Sequence, residues 1–331
     1  METKYIIGVD GGGTKTDYLL FTTDGEFVDS LHVGSRSHEI LSGGFAEVEE
    51  NVLADLEHLL EKNSIPASSI AAAAFGMAGI DTPDQLERMN QILAKSSLKK
   101  YIVANDSVLG IKAACPSGVG ICSINGTGSV TTGIDEDGRI LQVGGIGLAT
   151  GDHAGGFIIA ALAVGAVYDY YYRCGESTVL ARKLIDLFGL ACHEELYNFI
   201  SSRFYADRNL DKEIITILFD AANQGDAVSI EIVQGIAREQ AKSVSGCIRN
   251  LRFSDTPEIV LAGSVWTKTN CPILLSYFKE CINRYTGLQV EPFPLEVIPA
   301  VGAIIWAMEL AMEHPATPMQ RENIIEQMPK L

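Results

Sequence analysis

The sequence has little positive charge and no long apolar run. Its 331 residues include 25 Lys and Arg against 42 Asp and Glu, a net charge of −17. This acidic balance argues against nucleic acid and anionic membranes as partners, because both repel a polyanion. The strongly apolar stretch Ala154 to Tyr168 has 15 residues, and a membrane-spanning helix needs about 20.

Cysteine pairs are also missing. The seven cysteines are an odd number and contain no C-x-x-C spacing, so neither a disulfide framework nor a zinc site is indicated. We expect reduced thiols and a cytoplasmic location. The start, Met-Glu-Thr-Lys followed at once by an apolar strand, has no pattern of a secretory leader.

A glycine-rich loop stands near the start of the chain. The apolar run Tyr5 to Val9 leads into Asp10-Gly-Gly-Gly-Thr-Lys-Thr16, and a second apolar run then meets an Asp24-Gly25 turn. Asp-Gly between apolar runs predicts a β-hairpin. A dinucleotide fingerprint needs a helix after its glycines, and a P-loop needs Lys directly after its last glycine; neither condition is met. Two interpretations stay open: a backbone cradle for phosphate and an ordinary glycine-rich hairpin.

The same order of features returns about 115 residues further along. The apolar strand Val119 to Ile124 precedes Asn125-Gly-Thr-Gly-Ser129, and then come a strand, an Asp-Gly turn ending at Gly138 and a third strand. Two copies at this separation indicate a duplicated domain. Strands that alternate with helical patterns after each hairpin predict mixed α/β sheets covered by helices.

These motifs resemble the BadF/BadG/BcrA/BcrD ATPase family, and within it the N-acetylglucosamine kinase-like branch of the actin/hexokinase/Hsp70 superfamily. The matching pieces are Asp10 to Thr16, Gly126 to Ser129, Gly144 to Gly147 with Gly151-Asp152, and Val260 to Val265. The resemblance implies two ribonuclease H-like domains with a central ATP cleft. We place them at 1–115 and 116–331, the second with a helical insertion and with its last helix able to pack back on the first.

The resemblance implies an ATP-dependent phosphotransferase acting on a sugar hydroxyl. Asp10 would hold Mg²⁺, through water because Mg²⁺ dehydrates reluctantly. Asp106, just after the apolar strand Tyr101 to Ala104, is the expected catalytic base; its alternative role is to cap the helix beginning near Val108. Asp152 is similarly open to a substrate contact or a helix cap.

The remaining assignments concern ligand contacts. Residues expected to bind ATP are Gly11, Gly12, Gly13, Thr14, Lys15, Thr16, Gly126, Thr127, Gly128, Ser129, Gly263 and Ser264. Residues expected to bind the acceptor are Ser37, His38, Gly79, Gly145 and Asp152. The predicted partner is a sugar-like small molecule, and a homodimer is possible.

The acceptor side departs from the family pattern at three places. Ser37 stands where Asn is usual, Ile146 where Trp is usual, and His153 where Glu is usual. Each change removes a polar or stacking group on which sugar discrimination depends. An altered acceptor is therefore expected.

Two other functions stay open at this stage. One is an ATPase that drives a partner dehydratase or reductase, as in the activator branch, for which Cys115 and Cys122 are the nearest candidates for iron–sulfur ligands. The other is a nucleotide-gated binding protein without turnover.

Overall fold

The computed structural model describes residues 3–329 and contains two five-stranded sheets. The strands are β1 (Tyr5–Gly11), β2 (Lys15–Thr22), β3 (Phe27–Gly34), β4 (Ile70–Met77), β5 (Tyr101–Ala104), β6 (Gly120–Asn125), β7 (Ser129–Ile134), β8 (Ile140–Gly144), β9 (Ile259–Ala262) and β10 (Phe293–Pro294). The first sheet has the order β3-β2-β1-β4-β5 and the second the order β8-β7-β6-β9-β10. The same order in both sheets confirms the predicted α/β fold of two duplicated halves.

Twelve α-helices are present in the described range. They are α1 (Gly44–Lys62), α2 (Pro83–Leu93), α3 (Val108–Ala114), α4 (Gly156–Tyr172), α5 (Leu180–Phe188), α6 (Leu196–Phe199), α7 (Asp211–Asn223), α8 (Ala227–Asn250), α9 (Ser264–Lys268), α10 (Pro272–Thr286), α11 (Pro299–Met312) and α12 (Pro318–Gln327). Helices α4 to α8 form the predicted helix-rich insertion.

The chain divides into two compact units. The first unit contains the chain up to Cys122, Gly133–Ile140 and the chain from Leu295 onward, and the second contains Ser123–Thr132 and Leu141–Pro294. The final helices thus belong to the first unit, although they follow the second in sequence. Helix α11 packs on β1, β4 and α3. At Gly8 of β1 a Cβ atom would lie 2.7 Å from the backbone nitrogen of Ile304, so glycine is required for this close packing.

The first hairpin forms as its sequence predicts. Strands β1 and β2 pair antiparallel along their whole length, from Tyr5 opposite Thr22 to Gly11 opposite Thr16. Gly25 closes the next turn with a φ of +88°, and its N–H donates to the Thr22 carbonyl over 3.0 Å. Apolar side chains of this sheet, including Ile7 and Tyr18, are fully buried in the core beneath α1 and α2.

One predicted strand is much shorter than expected. The apolar pattern from Gln289 to Val297 predicts a full strand, but only Phe293 and Pro294 pair with β9. Pro292 and Pro294 supply no N–H donors for a ladder, which limits the pairing. The polar tail, expected to be frayed or a short helix, forms α12, and Thr317 and Gln320 build its capping box.

Candidate active site

Three parallel strands of the first unit end side by side. The register places Asp10 beside Gly76, and Gly76 beside Ala104. Asp106 follows Ala104 by two residues, so both predicted catalytic carboxylates lie at the carboxyl edge of this sheet, where open α/β sheets bind their ligands. A Cβ on Gly76 would lie 2.5 Å from the Leu109 side chain, so glycine keeps α3 close to this edge.

The carboxylates at this edge hold their protons strongly. Burial raises the pKa of Asp10 to about 7, and the negative charges of Asp106 and Asp17 add to the shift while Lys15 opposes it. Burial also raises the pKa of Asp106 to about 6, with the Asp81 charge adding to it. The edge therefore concentrates negative charge in poorly hydrated surroundings, and a cation bound there would stabilise the ionised forms.

The first glycine loop exposes only part of its predicted phosphate contacts. Its turn is closed by the Gly12 N–H, which donates to the Lys15 carbonyl over 2.9 Å. Lys15 is exposed and pairs with Asp17 at 2.8 Å. Thr16, by contrast, is fully buried, and its hydroxyl makes no hydrogen bond among the described residues. Gly13, Thr14 and Lys15 form the open tip of the loop.

Three predicted acceptor residues meet in the first unit. Gly79 has a φ of +81°, and a Cβ there would lie 2.8 Å from the Ser37 hydroxyl and 3.2 Å from His38 Nδ1. The His38 ring stacks on Phe45 with 4.2 Å between ring centres. Ser37, His38 and Gly79 therefore form one contact group, as a common ligand site requires.

The helix cap of α2 determines the tautomer of His38. Gln85 Oε1 accepts the backbone N–H groups of Asp81 and Thr82, each over 2.8 Å. Its amide nitrogen lies 3.3 Å from His38 Nε2 and can only donate. The Nε2 atom of the neutral ring therefore accepts, and the ring proton is on Nδ1, the atom that faces Gly79.

Two polar residues near Asp106, Asn105 and Asp81, are hydrogen-bonded to each other. Asn105 donates from Nδ2 to Asp81 over 2.9 Å. Its Oδ1 accepts from the N–H and the hydroxyl of Ser107, over 3.0 and 2.5 Å, and Ser107 is the N-cap residue of α3. Neither residue belongs to a periodic pattern, and only the strand register brings them together.

The second glycine loop is closed by backbone bonds. The Gly126 N–H donates to the Gly128 carbonyl over 2.9 Å, and the Gly156 N–H at the start of α4 donates to the Gly126 carbonyl over 2.8 Å. A Cβ on Gly155 would lie 2.9 Å from the Thr127 carbonyl oxygen. Helix α4 has no side-chain cap, so its N-terminal N–H groups and positive dipole end adjoin this loop, an arrangement that favours anions.

Gly263 packs against the second glycine loop. The sequence predicts that Gly263 binds ATP. With a φ of +89°, Gly263 packs directly on the backbone of Asn125, where a Cβ would clash with the carbonyl. The close approach is thus between the end of β9 and the second glycine loop, and any role of Gly263 in binding nucleotide stays a prediction.

A cavity of about 630 Å³ opens beside this loop within the second unit. It is lined by Gly126, Thr127, Gly156, Phe157, Arg208, Asp211, Lys212, Ile215, Thr216, Ser264, Val265, Lys268 and Thr269. The Arg208 guanidinium lies 3.7 Å above the centre of the Phe157 ring and pairs with Asp211 at 2.7 Å. Only Gly126, Thr127 and Ser264 were predicted, because the helices supply the other side chains without a motif.

Asp152 holds a loop rather than a helix end. Its Oδ1 accepts the Gly145 N–H over 2.7 Å and its Oδ2 accepts the Gly147 N–H over 2.5 Å. The N-cap of α4 is Gly155, so Asp152 does not occupy that position. Ile146, between the two held glycines, is 57% exposed.

Two further sequence expectations involve cysteines and membrane helices. Cys115 and Cys122 are completely buried, and burial raises the pKa of the Cys122 thiol far above its ordinary value. Neither thiol is exposed on the surface of the unit. Between residues 3 and 329, every helix is too short or too polar to cross a bilayer.

The chain is similar to sugar kinases along nearly its whole length. The N-acetylmuramic acid/N-acetylglucosamine kinase of Clostridium acetobutylicum is 30% identical over 309 residues, which cover 92% of this chain and 98% of the relative. A Chromobacterium violaceum structure named as a candidate N-acetylglucosamine kinase superposes with a TM-score of 0.62 at 20% identity, covering 93% and 99% of the two chains.

A more distant structure has the same fold. The ROK family glucokinase of Streptomyces griseus, solved with glucose and AMPPNP, superposes with a TM-score of 0.51 at 15% identity and covers 94% of this chain and all of its own. The sequence profile of the BadF/BadG/BcrA/BcrD ATPase family matches residues 7–307. The resemblance predicted from the glycine motifs is thereby confirmed: the chain belongs to the BadF/BadG/BcrA/BcrD ATPase family.

Proposed function

We propose that this protein is an ATP-dependent kinase that phosphorylates a hydroxyl group of an amino sugar of the N-acetylglucosamine or N-acetylmuramic acid class. The observation that carries the proposal is Asp106, a carboxylate at the edge of parallel strands with a pKa of about 6. A base with a pKa near the working pH is suited to accept a hydroxyl proton. The full-length similarity to a kinase of these two sugars supports the choice of substrate.

The cavity of the second unit is the proposed site for the nucleoside. Arg208 stacked on Phe157 offers a flat cationic surface for a purine. Lys212 and Lys268 add positive charge to the same cavity. The Gly126–Gly128 loop and the start of α4 provide backbone N–H groups for a phosphate.

Asp10 is the proposed magnesium residue. Mg²⁺ usually binds one or two carboxylates, substrate phosphates and several waters, so a single carboxylate suffices. The described residues include no cluster of three His, Cys, Asp or Glu side chains arranged to bind a metal. Asp10, whose pKa is about 7 because of burial and neighbouring negative charge, fits this donor set. When bound, Mg²⁺ would neutralise charge on the β- and γ-phosphates.

In the proposed reaction, residues of this chain accept a proton, stabilise phosphate charge and orient the acceptor. Asp106 accepts the proton of the acceptor hydroxyl as that oxygen forms a bond to the γ-phosphorus. The bond from the γ-phosphorus to the bridging oxygen breaks, and ADP leaves with that electron pair. Lys15 and the open tip of the first glycine loop stabilise phosphate charge, and Ser37 and His38 orient the acceptor.

The test is ATP consumption with N-acetylglucosamine, N-acetylmuramic acid, glucose and a polyol as acceptors. Asp106→Asn should lower kcat by about 10²- to 10⁴-fold while ATP affinity stays unchanged. Asp84→Asn, at an exposed position in the first turn of α2, is the matched control. Wild-type turnover in Asp106→Asn would exclude this base, and acceptor-independent ATP hydrolysis would favour the activator function.

Three finer predictions belong to the same proposal: magnesium dependence, a cytoplasmic location and a homodimer. Light scattering after gel filtration measures the oligomeric state directly. Titration with EDTA followed by Mg²⁺ measures the metal requirement.

A further inference from the structure

We propose that the hydrogen-bonded pair Asn105–Asp81 positions the base Asp106. The inference rests on the proposed function, because it assigns to Asn105 and Asp81 the task of positioning the base of that reaction. It gives two residues without a sequence motif a defined task in the reaction. It also makes Asn105 a positioning residue rather than a contact for the acceptor.

Asn105 uses its side chain inside the protein. The residue is 8% exposed. Its Nδ2 donates to Asp81 over 2.9 Å, and its Oδ1 accepts from both the N–H and the hydroxyl of Ser107. These three bonds occupy both the oxygen and the nitrogen of the amide, so little of its hydrogen-bonding capacity is left for an acceptor.

These bonds join the segments that follow two adjacent parallel strands. Asp81 comes after β4, and Asn105 comes directly after β5. Asp106 lies between Asn105 and Ser107, which are bonded to each other. The Leu109 N–H donates to the Asp106 carbonyl over 3.0 Å. The backbone at Asp106 is therefore fixed on both sides, as near-attack geometry requires.

The backbone of Asp81 is itself fixed by a hydrogen bond to the first turn of α2. Gln85 Oε1 accepts the Asp81 N–H over 2.8 Å, and the Thr82 hydroxyl accepts the Gln85 N–H over 3.3 Å. The capping box of α2 thus fixes the backbone from which the Asp81 carboxylate extends. The pKa of Asp106 is raised first by burial and then by the negative charge of Asp81.

A double-mutant cycle tests the pair. Asn105→Ala and Asp81→Ala should each lower kcat by about tenfold while the KM for ATP changes less than twofold, because a displaced base slows only the chemical step. The double variant should be no slower than Asn105→Ala, since that variant already removes the bond to Asp81. Asp81→Asn keeps an oxygen that accepts from Asn105, so it should retain kcat within about threefold.

Asn90→Ala is the matched control. Asn90 also donates from Nδ2, to the Leu86 carbonyl over 3.0 Å, but it lies on α2 away from the strand edge. Melting curves of all variants separate a loss of folding from a loss of turnover. If Asn105→Ala does not fold, the comparison of Asp81→Asn with Asp81→Ala in the intact Asn105 background carries the test.

Three results would overturn the inference. They are full kcat in Asn105→Ala, multiplicative losses in the double variant, and an Asp81→Asn variant as slow as Asp81→Ala, which would mean that Asp81 acts through its charge. Failure of the proposed function has a different signature, since Asp106→Asn itself would then turn over normally.

Discussion

The two glycine-rich loops have the same place in their sheets but different chemistry. The first follows Asp10 and ends at Lys15, the residue with which β2 begins, and Asp17 is the third residue of that strand. The second, from Asn125 to Ser129, has no charged residue. Duplication of the fold therefore preserved the backbone turn, whereas the charged groups that suit metal and phosphate chemistry occur in one copy only.

The loops also contact different segments. The first is tied to the end of β4, because the Ala78 N–H donates to the Gly11 carbonyl over 2.6 Å. The second is tied to the start of α4 by the bond from Gly156 to Gly126. The first loop is thus coupled to the segment with the predicted acceptor residue Gly79. The second is coupled to a helix that borders the proposed nucleoside cavity.

The largest expected effect comes from removing the charge of Asp10, the carboxylate that precedes the first loop. Asp10→Asn should lower kcat with MgATP by at least about 10²-fold, because the proposed magnesium ligand is lost. Initial rates over a range of Mg²⁺ concentrations measure this. Asp24→Asn, in the exposed turn between β2 and β3, is the control. Equal rates for Asp10→Asn and wild type would show that the carboxylate beside the first loop takes no part in the reaction.

The same variant should be more stable than the wild type at pH 8 without metal. The folded-state pKa of about 7 exceeds the unfolded value, so the folded protein binds more protons between about pH 4 and 7. Its free energy of unfolding therefore falls as the pH rises through this range. Asp10→Asn should gain on the order of 4 kcal/mol at pH 8 and almost nothing at pH 4, as urea unfolding in EDTA would show.

The next effect is on the pH profile of catalysis. Asp106 acts as a base only when ionised, so kcat/KM for the acceptor should rise as the pH increases through about 6. Below that value it should fall about tenfold for each pH unit. Initial rates at subsaturating acceptor between pH 5 and 8 test this. A flat profile would assign proton removal to another group.

A smaller effect distinguishes the two loops sterically. At Gly155 a Cβ would press on Thr127 and Gly128, whereas at Gly13 it would meet nothing within 4 Å. Gly155→Ala should raise the KM for ATP by about tenfold, which corresponds to about 1.4 kcal/mol, and Gly13→Ala should change it less. Gly165→Ala, at an open position of the same α4 helix, is the control. A larger rise in the KM for ATP in Gly13→Ala than in Gly155→Ala would show that the first loop, and not the second, is the more sensitive to an added methyl group.

The smallest effect should come from weakening the hydrogen bonds that Asp152 accepts from the 144–147 loop. Asp152→Asn leaves one backbone N–H facing a donor group, at a partly exposed site where water can replace the lost bond. We expect the KM for the acceptor to rise about threefold, with the KM for ATP unchanged. Isothermal titration with each ligand separates the two. A larger loss of affinity for ATP than for the acceptor would indicate that this loop contacts the nucleotide.

Local patterns predicted the elements around the site better than its polar contacts. The Asp-Gly turns and apolar runs specify both hairpins, because turn chemistry and strand period are local properties. The strand expected from Gln289 was wrong in length, because Pro292 and Pro294 outweigh the apolar pattern. The Asn105–Asp81 bond joins residues 24 positions apart, and no local rule pairs them.

The sequence by itself determined the family, the two glycine loops and the carboxylates at the ends of strands. Tertiary structure decided how those groups are used. It buries Thr16, turns Asp152 toward the 144–147 loop, places Gly263 against Asn125 and gives Asp10 a pKa of about 7. The physical reason is that burial, charge proximity and hydrogen-bond partners depend on segments distant in sequence, which only the packed sheets bring together.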